Sequence, residues 1–216
     1  MLTDKGVHFL AIEGVIGVGK SSLAQIISER WNALFIEENF TENPFLEKFY
    51  QNREAYAFQT QLFFLLERHK QLQNSALQSD LFHDLLVSDY TYDKDRIFAA
   101  QNLLESEFAM YEQISKALDK DIPRPDLVVY LQASVPTLLS RIRGRGRAME
   151  RSIEGSYLQS LMDRYDHHFW NYPHAPVLII NTDNIDFVHN ESHLQLVLDA
   201  IASCPSQTTY FVPEGK

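Results

Sequence analysis

Five short apolar runs punctuate the chain, at residues 7–12 (VHFLAI), 33–37 (ALFIE), 84–89 (DLLVSD), 126–131 (DLVVYL) and 177–181 (VLIIN). Continuous rather than alternating hydrophobicity is the mark of strands buried on both faces, as in a parallel sheet. Longer stretches of helical character fill the gaps, at 20–31, 43–51, 54–80, 100–120, 134–143 and 155–171, with one more at 190–203 after the last run. Strands alternating with helices predict right-handed crossovers and an α/β fold: a five-stranded parallel sheet with helices on both faces. No repeat, low-complexity segment or Pro/Gly/Ser-rich linker divides the 216 residues, so a single domain over 1–216 is expected. The final stretch from Cys204 (CPSQTTYFVPEGK, 204–216) is polar and bounded by prolines, and should run loosely over the surface.

Directly behind the first run stands GVIGVGKSS, which comprises Gly14, Val15, Ile16, Gly17, Val18, Gly19, Lys20, Ser21 and Ser22. Gly14, Gly19, Lys20 and Ser21 match the phosphate-loop pattern G-x-x-x-x-G-K-[ST], with a predicted strand before it and an apolar-periodic helix after it. Glycines let such a loop curl until its N–H groups and the helix N-terminus point at phosphate oxygens. In that geometry Lys20 reaches the β- and γ-phosphates of a nucleoside triphosphate and Ser21 ligates Mg2+. The loop alone does not say what receives the phosphate.

Charge narrows the partners. With 19 Lys and Arg against 29 Asp and Glu, the formal net charge is −10, a poor basis for a sequence-independent binder of polymeric nucleic acid. An anionic ligand must then be met by a local basic cluster. The segment LLSRIRGRGRAMERS provides one, placing Arg141, Arg143, Arg145, Arg147 and Arg151 within eleven residues and two glycines, Gly144 and Gly146, among them. An RNA-binding basic strip is the bland alternative, disfavoured by the short span and the acidic remainder. The lone cysteine, Cys204, precludes an intrachain disulfide and a cysteine-based metal site. The opening MLTDKGVHFL lacks the apolar core of a signal peptide, and no apolar run approaches the roughly 18 residues of a membrane span, so a cytoplasmic location is expected.

Three further segments carry polar groups suited to an acceptor site: EENFTENPFLEKFY after the second run, AYAFQTQLFFLLERHKQ on a predicted helix, and VSDYTYDKDRIFA at the third run. Taken in order with the loop and the arginine cluster, they resemble the deoxyribonucleoside kinase family from about residue 8 to about residue 190. The resemblance implies transfer of the γ-phosphate of ATP or another NTP to the 5′-hydroxyl of a deoxyribonucleoside, with Mg2+, in nucleotide salvage. It also implies a homodimer.

Residue by residue, the resemblance makes Glu38 the catalytic carboxylate, a general base that must lie within hydrogen-bond reach of the acceptor hydroxyl. A solvated strand-end charge is the alternative for Glu37 or Glu38. Tyr50, Gln61 and Arg68 keep the family's spacing of eleven and seven residues, and Gln61 and Arg68 share one helix face. Gln61 offers the donor and acceptor that read a base edge, Tyr50 meets the sugar 3′-hydroxyl, and Phe58, Phe63 and Phe64 are candidate walls. Gln59 competes as base reader but breaks the spacing. Asp89 would meet the metal side of the phosphates with Ser21. Asp95 matches a base-reading aspartate of relatives that prefer deoxyadenosine, deoxyguanosine or deoxycytidine to thymidine, although a helix N-cap role fits Asp93 or Asp95 as well. Arg141, Arg145 and Arg147 align with a lid at about 143–152, with Glu150 where the family holds the 3′-hydroxyl. Lys20, Arg145 and Arg147 would stabilise the transferring phosphoryl group. Asp183 and Asn184 fall in the loop that holds the ATP adenine.

One position leaves the pattern. Where the family reads Glu/Asp-Arg-Ser, this chain reads Asp89-Tyr90-Thr91, so an arginine is missing beside the acceptor, and Lys94 or Arg96 from the following loop are candidates to replace it. The adjacent His167 and His168 point to different helix faces and read as structural. A thymidylate-type nucleoside monophosphate kinase is a second reading; its acceptor would need a basic residue near its own phosphate. A non-catalytic nucleotide-binding protein that has kept the fold is a third, supported only by Tyr90.

Overall fold

The computed structural model describes residues 2–214. A central sheet is built from β1 (Phe9–Gly14), β2 (Leu34–Ile36), β3 (Leu86–Ser88), β4 (Leu127–Gln132), β5 (Val177–Asn181) and β6 (Thr209–Phe211). The connecting helices are α1 (Lys20–Trp31), α2 (Leu46–Gln51), α3 (Arg53–Phe82), α4 (Asp93–Asn102), α5 (Glu105–Leu118), α6 (Val135–Arg145), α7 (Gly155–Trp170) and α8 (Glu191–Ser203). The strands lie in the order β2-β3-β1-β4-β5-β6, and every adjacent pair is parallel. All five expected strands are present, and the α/β reading holds.

The sheet has six strands where five were expected, and the sixth lies in the segment expected to be loose. Residues 209–211 pair with Leu178–Ile180 at the sheet edge. Thr209 and Tyr210 are exposed and only Phe211 tucks inward, so this strand has no apolar run by which to be recognised. Residues 215 and 216 of that segment lie outside the described residues.

The stretch 100–120 is likewise not one helix. Leu103 and Leu104 are extended (ψ 147° and 157°), which ends α4 and starts α5, and the Glu107 carboxylate turns back to accept from the Leu104 N–H at 3.1 Å. Residues 93–99, expected to be a loop, form the first turns of α4. That helix buries Lys94 and Asp95 beside Ile97 and Ala99, and buried charges are invisible to a search for apolar periodicity.

Chain order places the site. From β1 the chain builds toward β3 and β2 on one side, then returns to β1 and builds outward through β4 and β5. Such a reversal opens a crevice at the carboxyl ends of the strands, where open α/β sheets take their ligands. Gly14 ends β1 there at φ +145°, where a Cβ would stand 2.5 Å from the Leu131 carbonyl oxygen. At Gly19, φ is +106° and a Cβ would meet the Phe187 ring at 2.8 Å. These two contacts are why the loop needs glycine at its ends. Among the described residues no helix is long and apolar enough to cross a membrane.

Candidate active site

The crevice is a cavity with the phosphate loop at one end and the face of α3 at the other. At the loop end, Ile16, Gly17, Lys20 and Ser21 line the wall at the start of α1. The Lys20 ammonium donates to the Val15 carbonyl at 3.2 Å. Burial and the nearby Lys94 cation push its pKa down to about 8, against the pull of Glu13, Glu38 and Asp89. The Ser21 hydroxyl donates to Asp89 Oδ2, while Asp89 Oδ1 accepts the Glu38 N–H at 2.8 Å. One carboxylate thus joins the start of α1 to the residue predicted as the base. Glu13 does similar work in the core: wholly buried, it accepts from the Thr91 N–H (2.7 Å), the Thr91 hydroxyl (2.8 Å) and the Gly14 N–H (3.1 Å). The loop after β3 is thereby fastened to the end of β1.

Glu38 occupies the middle of the cavity between two cations. Arg68 donates from Nη2 at 2.6 Å and Nε at 3.1 Å to Oε1, and Lys94 Nζ lies 2.5 Å from Oε2. Burial opposes the charged form of Glu38, but Lys94 and Arg68 outweigh it and hold the carboxyl well below the usual carboxylate range. Glu37, in contrast, is exposed to solvent. Of the two candidates to replace the missing arginine, Lys94 meets Glu38, whereas Arg96 is exposed and paired with Glu112 at 2.5 Å. Tyr90 itself is buried and sends its hydroxyl to Gln71 Oε1 at 2.8 Å.

At the far end Gln61 is buried and its Oε1 has no hydrogen-bond partner, an acceptor held ready for a donor. Gln59, the competing amide, is exposed and lies outside the lining. Phe64 lines the cavity as expected, whereas Phe58 packs on the main core and Phe63 is not part of the lining. Sequence reasoning missed the other apolar walls, Phe40, Leu46, Phe49, Phe98, Met149 and Tyr157, because aromatics and aliphatics at such spacing look like ordinary core. Asp95 stands behind the cavity surface rather than on it. It is fully buried, 2.5 Å from Arg68 Nη1, and accepts the Tyr111 hydroxyl at 2.8 Å. Burial pushes its carboxyl up to about 6 even with Arg68 beside it. Neither Asp93 nor Asp95 caps α4 with its side chain. Asp93 instead accepts from Arg124 (3.2 Å) and Tyr172 (3.1 Å).

The arginine segment splits into two parts. Helix α6 runs to Arg145, through Gly144, and ends at Gly146 (φ +73°), after which residues 148–152 form a short 3-10 turn. Arg145 and Arg147 line the cavity and converge on buried Glu150 at 2.6 and 3.4 Å, and Arg147 also stacks over Phe40 at 4.1 Å. Tyr50 and Tyr157 lie beside them, with the Arg53 guanidinium 4.0 Å from the Tyr157 ring. Arg141 lies outside the lining. It binds the Thr182 hydroxyl (2.9 Å), the Thr182 carbonyl (2.7 Å) and the Val18 carbonyl (3.2 Å), tying the loop after β5 to the phosphate loop. Asp183 accepts from the Ser134 N–H at 2.8 Å and its hydroxyl at 2.9 Å, at the start of α6. His168 packs against Phe169 and Tyr172, a structural role.

A family model described as deoxynucleoside kinase matches residues 10–204. The chain is 37% identical over 193 residues to a deoxyguanosine kinase of Bacillus subtilis, covering 88% of this chain and 93% of the relative. It is 29% identical over 202 residues to a deoxyadenosine/deoxycytidine kinase of the same organism, covering 90% and 91%. The structure of deoxyadenosine kinase from M. mycoides with bound dATP superposes with a TM-score of 0.77 at 26% identity, over 90% of this chain and 99% of that one.

Proposed function

This chain belongs to the deoxynucleoside kinase family, and from that premise we propose that it transfers the γ-phosphate of ATP, or of another NTP, to the 5′-hydroxyl of deoxyadenosine, deoxyguanosine or deoxycytidine in preference to thymidine. The observation that carries the reading is the placement of Glu38 in one cavity between the phosphate loop and Gln61. A hydroxyl lying at Glu38 faces a phosphate held by the loop, and a base attached to that hydroxyl reaches the Gln61 amide.

Each residue then has a task. Glu38 takes the proton of the 5′-hydroxyl as its oxygen attacks. Lys20, Arg145 and Arg147 meet the charge that spreads over the transferring phosphoryl oxygens. Arg145 and Arg147 now rest on Glu150 and must turn toward phosphate, which frees Glu150 for the sugar 3′-hydroxyl beside Tyr50. The unpaired Gln61 acceptor and the Arg68–Asp95 pair together suit a base edge that presents an amino donor, which adenine, guanine and cytosine have and thymine lacks. Magnesium fits the hard oxygens of Ser21 and Asp89, which already touch, with phosphate oxygens and water completing the shell. It would draw charge from the β- and γ-phosphates. A homodimer belongs to the same reading, supported by the exposed apolar side chains Leu104 and Met110 at α5. So does a cytoplasmic location, supported by the unpaired Cys204.

The test is a turnover screen of the four deoxynucleosides, with dTMP as a fifth acceptor, using ATP and Mg2+. A purine deoxynucleoside or deoxycytidine should be the best acceptor. Thymidine as the best by far would sink the base assignment, and activity on dTMP alone would replace the reading with a monophosphate kinase.

A further inference from the structure

Lys94 is an odd resident of its position. It lies in the first turn of α4, where the helix dipole disfavours a cation, and its side chain is 7% exposed. Nothing about helix stability calls for it there. Its ammonium is paired with Glu38, yet Glu38 already has a counter-ion in Arg68 on its other oxygen. It also lines the same cavity as Lys20, whose cation it opposes. Two ammonium groups facing one cavity, Lys94 buried and Lys20 half-buried, suit an anion that comes between them.

Glu38 holds Lys94 on one carboxylate oxygen and Arg68 on the other, so it keeps a counter-ion if Lys94 moves away.

Resting on the kinase reading above, we propose that Lys94 is a catalytic residue of the transfer step, its ammonium passing from Glu38 to the phosphoryl group being transferred. The arriving γ-phosphate supplies the anion between Lys20 and Lys94. Glu38 keeps Arg68 as its counter-ion. The O5′–P bond then forms as the bond from that phosphorus to the bridging oxygen of ADP breaks. The electron pair of the broken bond leaves with ADP, and the hydroxyl proton goes to Glu38. Lys94 meets the charge on the phosphoryl oxygens throughout, and returns to Glu38 when products leave.

The experiment compares wild type, Lys94→Met and Lys94→Arg for kcat and for KM of each substrate. Circular dichroism checks the fold of each variant. Lys94→Met should lose about 100-fold in kcat, the scale of one electrostatic donor, with both KM values within about threefold. Lys94→Arg, which keeps the charge, should regain at least about a tenth of the wild-type kcat. A merely structural lysine would move KM as much as kcat and would not be rescued by charge alone. Wild-type-like kcat in Lys94→Met, or a folded variant whose loss lies in KM rather than kcat, overturns the proposal and leaves the kinase reading standing. If Lys94→Met does not fold, failure of a folded Lys94→Arg to regain turnover overturns it. A wild-type chain that phosphorylates no deoxynucleoside overturns both.

Discussion

Gln61 shows how much one side chain can be asked to do. Its buried Oε1 has no partner, and a buried acceptor left unpaired costs about 1–3 kcal/mol, recovered when a donor arrives. Gln61→Leu removes that acceptor from the site. Its KM for the best deoxynucleoside should rise roughly 10- to 100-fold, which matches the same range of energy. Its KM for ATP should stay put; steady-state kinetics with each substrate varied in turn would show both. A matching rise in the two values would mean that Gln61 does not touch the base. Lys20 offers a second prediction at this scale, from its pKa of about 8. Phosphate holds the bound lysine protonated, so above pH 8 binding must take up a proton that the free enzyme has lost. ATP affinity should fall as pH climbs from about 8 to 9.5, and a calorimetric titration of Lys20→Met should lose that slope. The residue types were readable from the chain; burial is what sets the candidates apart, with Glu38 and Gln61 on the cavity lining and Glu37 and Gln59 facing water.

Among the elements, α8 has the clearest local signature. The Asn190 side chain accepts from the Ser192 and His193 N–H groups at 3.0 and 3.2 Å, satisfying two donors that the first turn leaves free. Asn190→Ala should cost about 1 kcal/mol and lower Tm by roughly 2–4 °C, with turnover unchanged. Thermal melts beside an activity assay test both halves. Capping of this kind is written in a few adjacent residues. Helix α4 is not, because two of its inward positions are Lys94 and Asp95, held by Glu38 and Arg68 from distant parts of the chain. Strand β6 escaped for a related reason, since it adds backbone pairing at an edge and little buried side chain.

For the molecule as a whole, the acidic chain gathers five of its 19 Lys and Arg residues on one cavity, where Lys20, Arg68, Lys94, Arg145 and Arg147 stand on the lining. Ligands that bind only the folded state should therefore raise its stability by mass action. At about 100 times Kd the gain is roughly 2.7 kcal/mol, or roughly 5–10 °C in Tm for a chain of this size. Magnesium ATP and the preferred deoxynucleoside should each produce such a shift. In Lys20→Met the first should shrink sharply while the second persists, since Lys20 faces phosphate and not the base.

The chain by itself determined the α/β class, five of the strands, the phosphate loop and the arginine cluster, because each is a contiguous pattern with a local physical cause. Spacing along one helix was enough to pair Gln61 with Arg68. Only the tertiary structure decided that Lys94, rather than Arg96, meets Glu38, that Asp95 backs Arg68 from behind the cavity, and that Arg141 is a tie between loops. Those outcomes depend on which turn of α4 faces α3 and on how far the loop after β5 approaches the phosphate loop. Both are set by packing between segments far apart in the chain, which no local pattern records.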